Sequence, residues 1–175
     1  RKAGQAGFTA DLHLAQPVME ATLTGHIDRE GLHLALSMAN RGDKPIDFKI
    51  AFPHLAGLGV SKDPAADYYF FPCGGGIIAD RPALIRQGYG DYQALYQLMD
   101  IFSPERGGGV SIHAVDTEGQ YKILALRKSV PGRSEDRGLS PLAPTKPEFV
   151  WSNSLAQVTG TSVAFEYLRR TRAAG

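Results

Sequence analysis

With 175 residues, 43% of them hydrophobic, the chain can bury a substantial core and has the length expected of one domain. Nineteen basic against eighteen acidic side chains leave a formal charge of +1, which excludes the broad basic footprint of a nucleic-acid or anionic-membrane partner. The lone Cys73 excludes an intrachain disulfide and a cysteine metal cluster, and no apolar run approaches the ~20 residues of a membrane span.

In chain order, Phe8, Leu12 and Leu14 alternate with polar neighbours, and Ala21, Leu23 and Gly25 do so after a break at Pro17. Two short strands are expected there. Asp28-Arg29-Glu30-Gly31 has the composition of a hairpin turn. Beyond it Leu32, Leu34, Leu36 and Met38 face one way and His33, Ala35, Ser37 and Ala39 the other, a half-buried strand. A turn cluster over residues 40–45 follows, and Ile46, Phe48, Ile50 and Phe52 resume period two, which predicts an antiparallel meander of neighbouring strands.

After Lys62-Asp63-Pro64, a loop, the aromatic run Tyr68 to Phe71 and the apolar run Leu95 to Phe102 read as strands, the latter a central one with apolar residues on both faces. Val110 to Val115 and residues 120–127 are expected to form a hairpin across Asp116-Thr117-Glu118-Gly119. Residues 129–147, with their prolines and mixed charge, lack apolar periodicity and predict a long loop. Phe149 to Trp151 and Val163 to Leu168 close the chain as strands; the β-branched and aromatic start of the second argues against a helix. The fold class is all-β, an antiparallel β-sandwich.

Several of these blocks, in this order and spacing, carry a resemblance: Phe52-Pro53, Asp67 before Tyr68 to Pro72, Gly74 to Gly76, Tyr89 with Gln97, Gly107 to Gly109, and Asp116. Over roughly residues 20 to 128 the chain resembles the galactose-mutarotase-like β-supersandwich domain of multidomain glycoside hydrolases of the endo-α-N-acetylgalactosaminidase type and relatives. In those proteins the sandwich is an accessory to a separate catalytic barrel. The resemblance therefore implies a carbohydrate as ligand, the catalytic domain of the same parent protein as partner, and a secreted or periplasmic location. A start at Arg-Lys-Ala-Gly, with no Met and no signal-peptide core, fits an excised piece of a longer protein, and such supersandwich domains are longer than this chain. The pattern departs from the family at one corner, where Val115 rather than a His precedes Asp116.

Mutarotation needs a general acid and a general base flanking the anomeric centre, and His113 with Asp116 or Glu118 are the nearest catalytic candidates. On a strand the odd separation of His113 and Asp116 puts them on opposite faces, and an Asp at a hairpin corner ordinarily accepts bonds from the turn's own backbone. Candidate carbohydrate-binding residues are Tyr89, Asp91, Tyr92 and Gln93, together with His113 and Asp116; Tyr68, Tyr69, Trp151 and Arg86 could add stacking and hydroxyl contacts. Aromatic rings in a β sequence more often fill the core.

The five histidines, at 13, 26, 33, 54 and 113, show no HxH or HExxH spacing, so neither a metal nor any other cofactor is expected. The glycine triplets lack the ending and the helix of a phosphate cradle and read as tight turns, and Cys73 reads as an inert thiol. The function expected is a non-catalytic sandwich domain that braces a catalytic domain or shapes its glycan cleft. The alternatives are a free-standing mutarotase or aldose epimerase, and a carbohydrate-binding or structural module.

Overall fold

Period-two alternation becomes extended backbone throughout the computed structural model, which describes residues 6–16, 18–71, 76–82, 98–114, 122–139 and 158–170. Among them eleven strands form: β1 (Ala6–Leu14), β2 (Met19–Ile27), β3 (Leu32–Asn40), β4 (Asp47–Leu58), β5 (Tyr68–Phe71), β6 (Ile77–Ala79), β7 (Leu98–Ser103), β8 (Gly108–His113), β9 (Lys122–Val130), β10 (Arg133–Leu139) and β11 (Gly160–Arg170). A 3-10 turn, Pro64–Ala66, is capped by the Asp63 carboxylate accepting from Ala65 N–H at 2.9 Å. The protein is all-β and mostly antiparallel: β1 with β2, β2 with β3, β5 with β6 and β7, β7 with β8, and β9 with β10 and β11 all pair antiparallel.

Chain packing separates two compact units, Arg1–Lys49 with Arg169–Gly175, and Ile50–Leu168. The first is built on a three-stranded sheet in the order β1-β2-β3. Its register sets Phe8, Gly25 and Leu34 in one row and Leu12, Ala21 and Met38 in another, so one face is apolar. The intervening rows, such as Asp11, Thr22 and Ser37, make the other face polar. Gly25 makes room for Phe8 on that face: a Cβ there would lie 2.4 Å from a carbon of the Phe8 ring, which would have to swing aside.

The second unit is a two-layer sandwich of sheets β10-β9-β11-β4 and β6-β5-β7-β8. Tyr69, Phe71, Met99, Ile101 and Ile112 from one layer meet Leu124, Leu126, Val163, Phe165 and Tyr167 from the other. Strand β7 is central in its sheet and alternates between buried and half-buried side chains, with Met99 and Ile101 inside. Residues 95–97 lie outside the described residues.

Three connections differ from those expected. β4 does not extend the meander but pairs within the β10-β9-β11-β4 sheet, where Ile50, Leu55 and Leu58 pack on the sandwich core. β8 and β9 form no hairpin: β8 pairs with β7, and β9 with β10 and β11, so the chain changes layers between them. The two strands bury an apolar face on the same core from opposite layers. Residues 133–139, expected as loop, form β10; Gly132, at φ +77°, makes the turn, and an edge strand is held by its ladder to β9 without needing an apolar pattern of its own.

Candidate functional site

Of the residues singled out in the sequence, Tyr89, Asp91, Tyr92, Gln93 and Asp116 lie outside the described residues, as do Glu118, Arg86, Trp151 and Cys73. His113 is exposed at the end of β8, an edge strand, opposite Leu98. Its neighbour Ile112 turns into the core, as parity requires. Tyr69 is fully buried and belongs to the core, whereas Tyr68 remains partly exposed beside Phe102, with ring centroids 5.9 Å apart. Gly109 serves close strand pairing, since a Cβ there would sit 2.6 Å from the Ile101 carbonyl oxygen.

Inside the sandwich unit a polar seam crosses the core. Lys128 is only 2% exposed, and its Nζ donates to the carbonyls of Ala65 at 3.0 Å, Asp67 at 2.8 Å and Asp80 at 2.7 Å. The same nitrogen lies 5.4 Å from the centroid of the Tyr69 ring. Burial pulls the Lys128 pKa down, while Asp80 and Asp67 oppose that shift. An ammonium has three N–H donors and all three are used, so Lys128 offers no free lone pair for base or nucleophile chemistry; it clamps three segments together.

Asp67 is itself fully buried and its carboxylate accepts Val60 N–H and Ser61 N–H, each at 2.9 Å, and the Ser61 hydroxyl. The Asp that opens the aromatic run therefore fastens the chain just beyond β4. Tyr69 shares a hydrogen bond with Thr161 at 2.8 Å, and burial raises its phenol pKa well above the ordinary value. At the edge of the seam Arg81 Nε donates to Glu135 at 2.8 Å, with Arg133 Nε 3.6 Å from the same carboxylate oxygen. These contacts position segments of the sandwich unit relative to one another.

A second cluster lies at the tip of the β2–β3 hairpin. The expected turn forms, with Asp28 N–H donating to Gly31 C=O at 3.0 Å, and this register sets His26 directly opposite His33. The two imidazoles stack, with centroids 4.5 Å apart and planes 8° from parallel. Asp28 Oδ1 lies 3.1 Å from His33 Nε2, and Asp28 Oδ2 3.7 Å from His26 Nε2. The histidine spacing had argued against two imidazoles meeting. That rule covers helices and single strands, whereas a hairpin joins residues by their distance from its turn.

Two signals were available for what the sequence reading missed. Leu124, Leu126 and Lys128 fall on one side of β9 by parity, which places the lysine on the core face, and a turn centred between Arg29 and Glu30 pairs position 26 with position 33. No protein-family model matches the chain, nor does any curated protein or solved structure.

Proposed function

We propose that the chain is a non-catalytic β-module of a carbohydrate-active enzyme that braces the catalytic domain of the same parent protein and helps to shape its glycan cleft. The carrying observation is the apolar face of the β1-β2-β3 sheet, where Phe8 is 52%, Leu12 51% and Leu32 59% exposed, with Leu14 and Ile27 similarly open. A sheet face of this composition is stabilised by a second layer, and a face this exposed is suited to taking one from a neighbouring domain. The seam around Lys128 supports the same reading, because its polar groups are spent on holding segments together.

The test is copurification of this chain with the remainder of the polypeptide encoded by its gene, the two expressed as separate pieces. They should associate, and Leu12→Asp with Leu32→Asp should abolish association while the circular dichroism of the chain stays that of a β protein. A gene that encodes no catalytic domain, or association indifferent to both substitutions, overturns the proposal. Faster approach of fresh α-D-galactose to anomeric equilibrium, seen by polarimetry and lost in His113→Ala, would replace it with the mutarotase reading.

A further inference from the structure

At the β2–β3 hairpin tip we infer a binding site for a zinc-class divalent transition metal, with His26 Nε2, His33 Nε2 and an Asp28 carboxylate oxygen as its three protein ligands. The three ligand atoms lie within 4.8 Å of one another. Metal–ligand bonds of about 2.0–2.1 Å in a tetrahedral arrangement put ligand atoms about 3.3 Å apart. Asp28 Oδ1 lies 3.1 Å from His33 Nε2 and Oδ2 lies 3.7 Å from His26 Nε2, each near that spacing. Closing the set onto one ion requires the two imidazoles to tilt toward each other and toward one carboxylate oxygen, and the rings, 52% and 42% exposed, have room to do so.

The hairpin fixes the third ligand in advance. Asp28 Oδ1 accepts from Glu30 N–H at 2.8 Å and Gly31 N–H at 3.1 Å, so the carboxylate is folded back over the turn toward both rings. Around the imidazoles the polar face is low: Gly7 stands opposite His26 on β1, and the next row is Thr9, Thr24 and Ala35. No bulky side chain of these rows stands over the cluster.

The donor set selects the metal. Two imidazoles and one carboxylate suit zinc, nickel or copper, whereas calcium and magnesium prefer all-oxygen shells. Three protein ligands leave a fourth position for water or for a group from outside, and the bound ion would tie β2 to β3 at the end where their ladder opens. Binding through Nε2 needs that nitrogen's lone pair, which the neutral imidazole offers when its proton sits on Nδ1.

Isothermal titration of the metal-stripped full chain with zinc chloride tests this, with each variant checked by circular dichroism. His26→Ala, His33→Ala and Asp28→Asn should each weaken zinc affinity at least about tenfold, the lower limit for disturbing a metal's supporting shell. His13→Ala and His113→Ala should leave it unchanged. Magnesium or calcium in excess should not compete, and the imidazole Nε2 resonances of His26 and His33 should shift together on zinc addition. Absence of zinc binding, or binding that survives His26→Ala and His33→Ala, overturns the site. His26→Gln and His33→Gln provide the same reading should either alanine variant misfold. None of these readouts depends on docking or on a glycan, so failure here leaves the proposed function standing.

Discussion

The β1-β2-β3 sheet and the β4-to-β11 sandwich are built on the same alternation, yet one ends with its apolar face exposed and the other with its core sealed. In the sandwich, Tyr69, Phe71, Met99, Ile101, Leu124, Leu126, Val163 and Phe165 are fully buried. In the three-stranded sheet the buried apolar side chains are Met19 and Ala21, near the end away from the hairpin tip, while Phe8, Leu12, Leu14, Ile27 and Leu32 remain exposed. Alternation specifies which face is apolar; it does not specify what covers that face. The open sheet is accordingly read as an interface and the closed one as the scaffold.

The sharpest way to break this contrast is truncation of one large apolar residue in each region. Phe165→Ala should destabilise the protein by about 3–5 kcal/mol, because the ring leaves a cavity between two packed layers. Leu12→Ala should cost about 0.5 kcal/mol or less, since the side chain is half in water already. Urea unfolding of both variants measures the difference. Comparable losses would mean that the meander face is covered in solution.

A smaller effect is expected at the seam. Lys128→Met keeps the length of the stem but removes all three donors, leaving the carbonyls of Ala65, Asp67 and Asp80 short of a partner. Burying such groups unsatisfied costs about 1–3 kcal/mol each, reduced wherever water can enter. A loss of at least about 1 kcal/mol in the urea midpoint analysis is the expected outcome, and a neutral substitution would remove the clamp from the account of the fold.

Tyr69→Phe should cost about 1 kcal/mol near neutral pH through the lost Thr161 bond, and it also alters the alkaline limb of stability. The Tyr69 pKa is raised in the folded state from an ordinary 10.0, so the folded protein holds a proton that the unfolded chain releases above about pH 10. Stability from this group is complete below that pH and declines as pH rises past it. Lys128 acts in the opposite sense: its pKa is lowered from 10.5, so between the lowered value and 10.5 the unfolded chain holds the extra proton and stability gains as pH rises. Chemical denaturation between about pH 8 and 11 should therefore show a shallower alkaline decline for Tyr69→Phe and a steeper one for Lys128→Met than for the parent chain.

How much of this was legible follows from what periodicity contains. Strands β1 to β3, the aromatic strand β5 and the buried side of β11 at Val163, Phe165 and Tyr167 were all readable, because each alternates or bunches its apolar residues. Pairing was less so: β4 continues the pattern of β3 but joins another sheet, and β8 runs toward β9 without pairing with it. Alternation carries face, not neighbour. β10 escaped because Arg133 to Leu139 has no apolar rhythm and is recognised only through its partner β9. The same holds for the two side-chain clusters, since Lys128 is understood through three carbonyls distant in sequence, and the His26–His33 contact through the register of a turn.

The smallest stability effect tests the interface most directly. Leu12→Lys and Leu32→Lys replace half-exposed leucines with long side chains whose ammonium groups reach water, and substitutions of that kind ordinarily fall within about ±0.5 kcal/mol. If the apolar face is open in the isolated chain, the double variant should unfold at nearly the parent's urea midpoint while losing most of the fluorescence of a hydrophobic dye such as ANS, which binds exposed apolar surface. It should also stay monomeric at concentrations where the parent self-associates, because an uncovered sheet face of this kind invites a second copy. A large drop in midpoint would instead place both leucines in a packed contact, and unchanged dye binding would put the exposed apolar surface elsewhere; either result removes the open face on which the proposed bracing role rests.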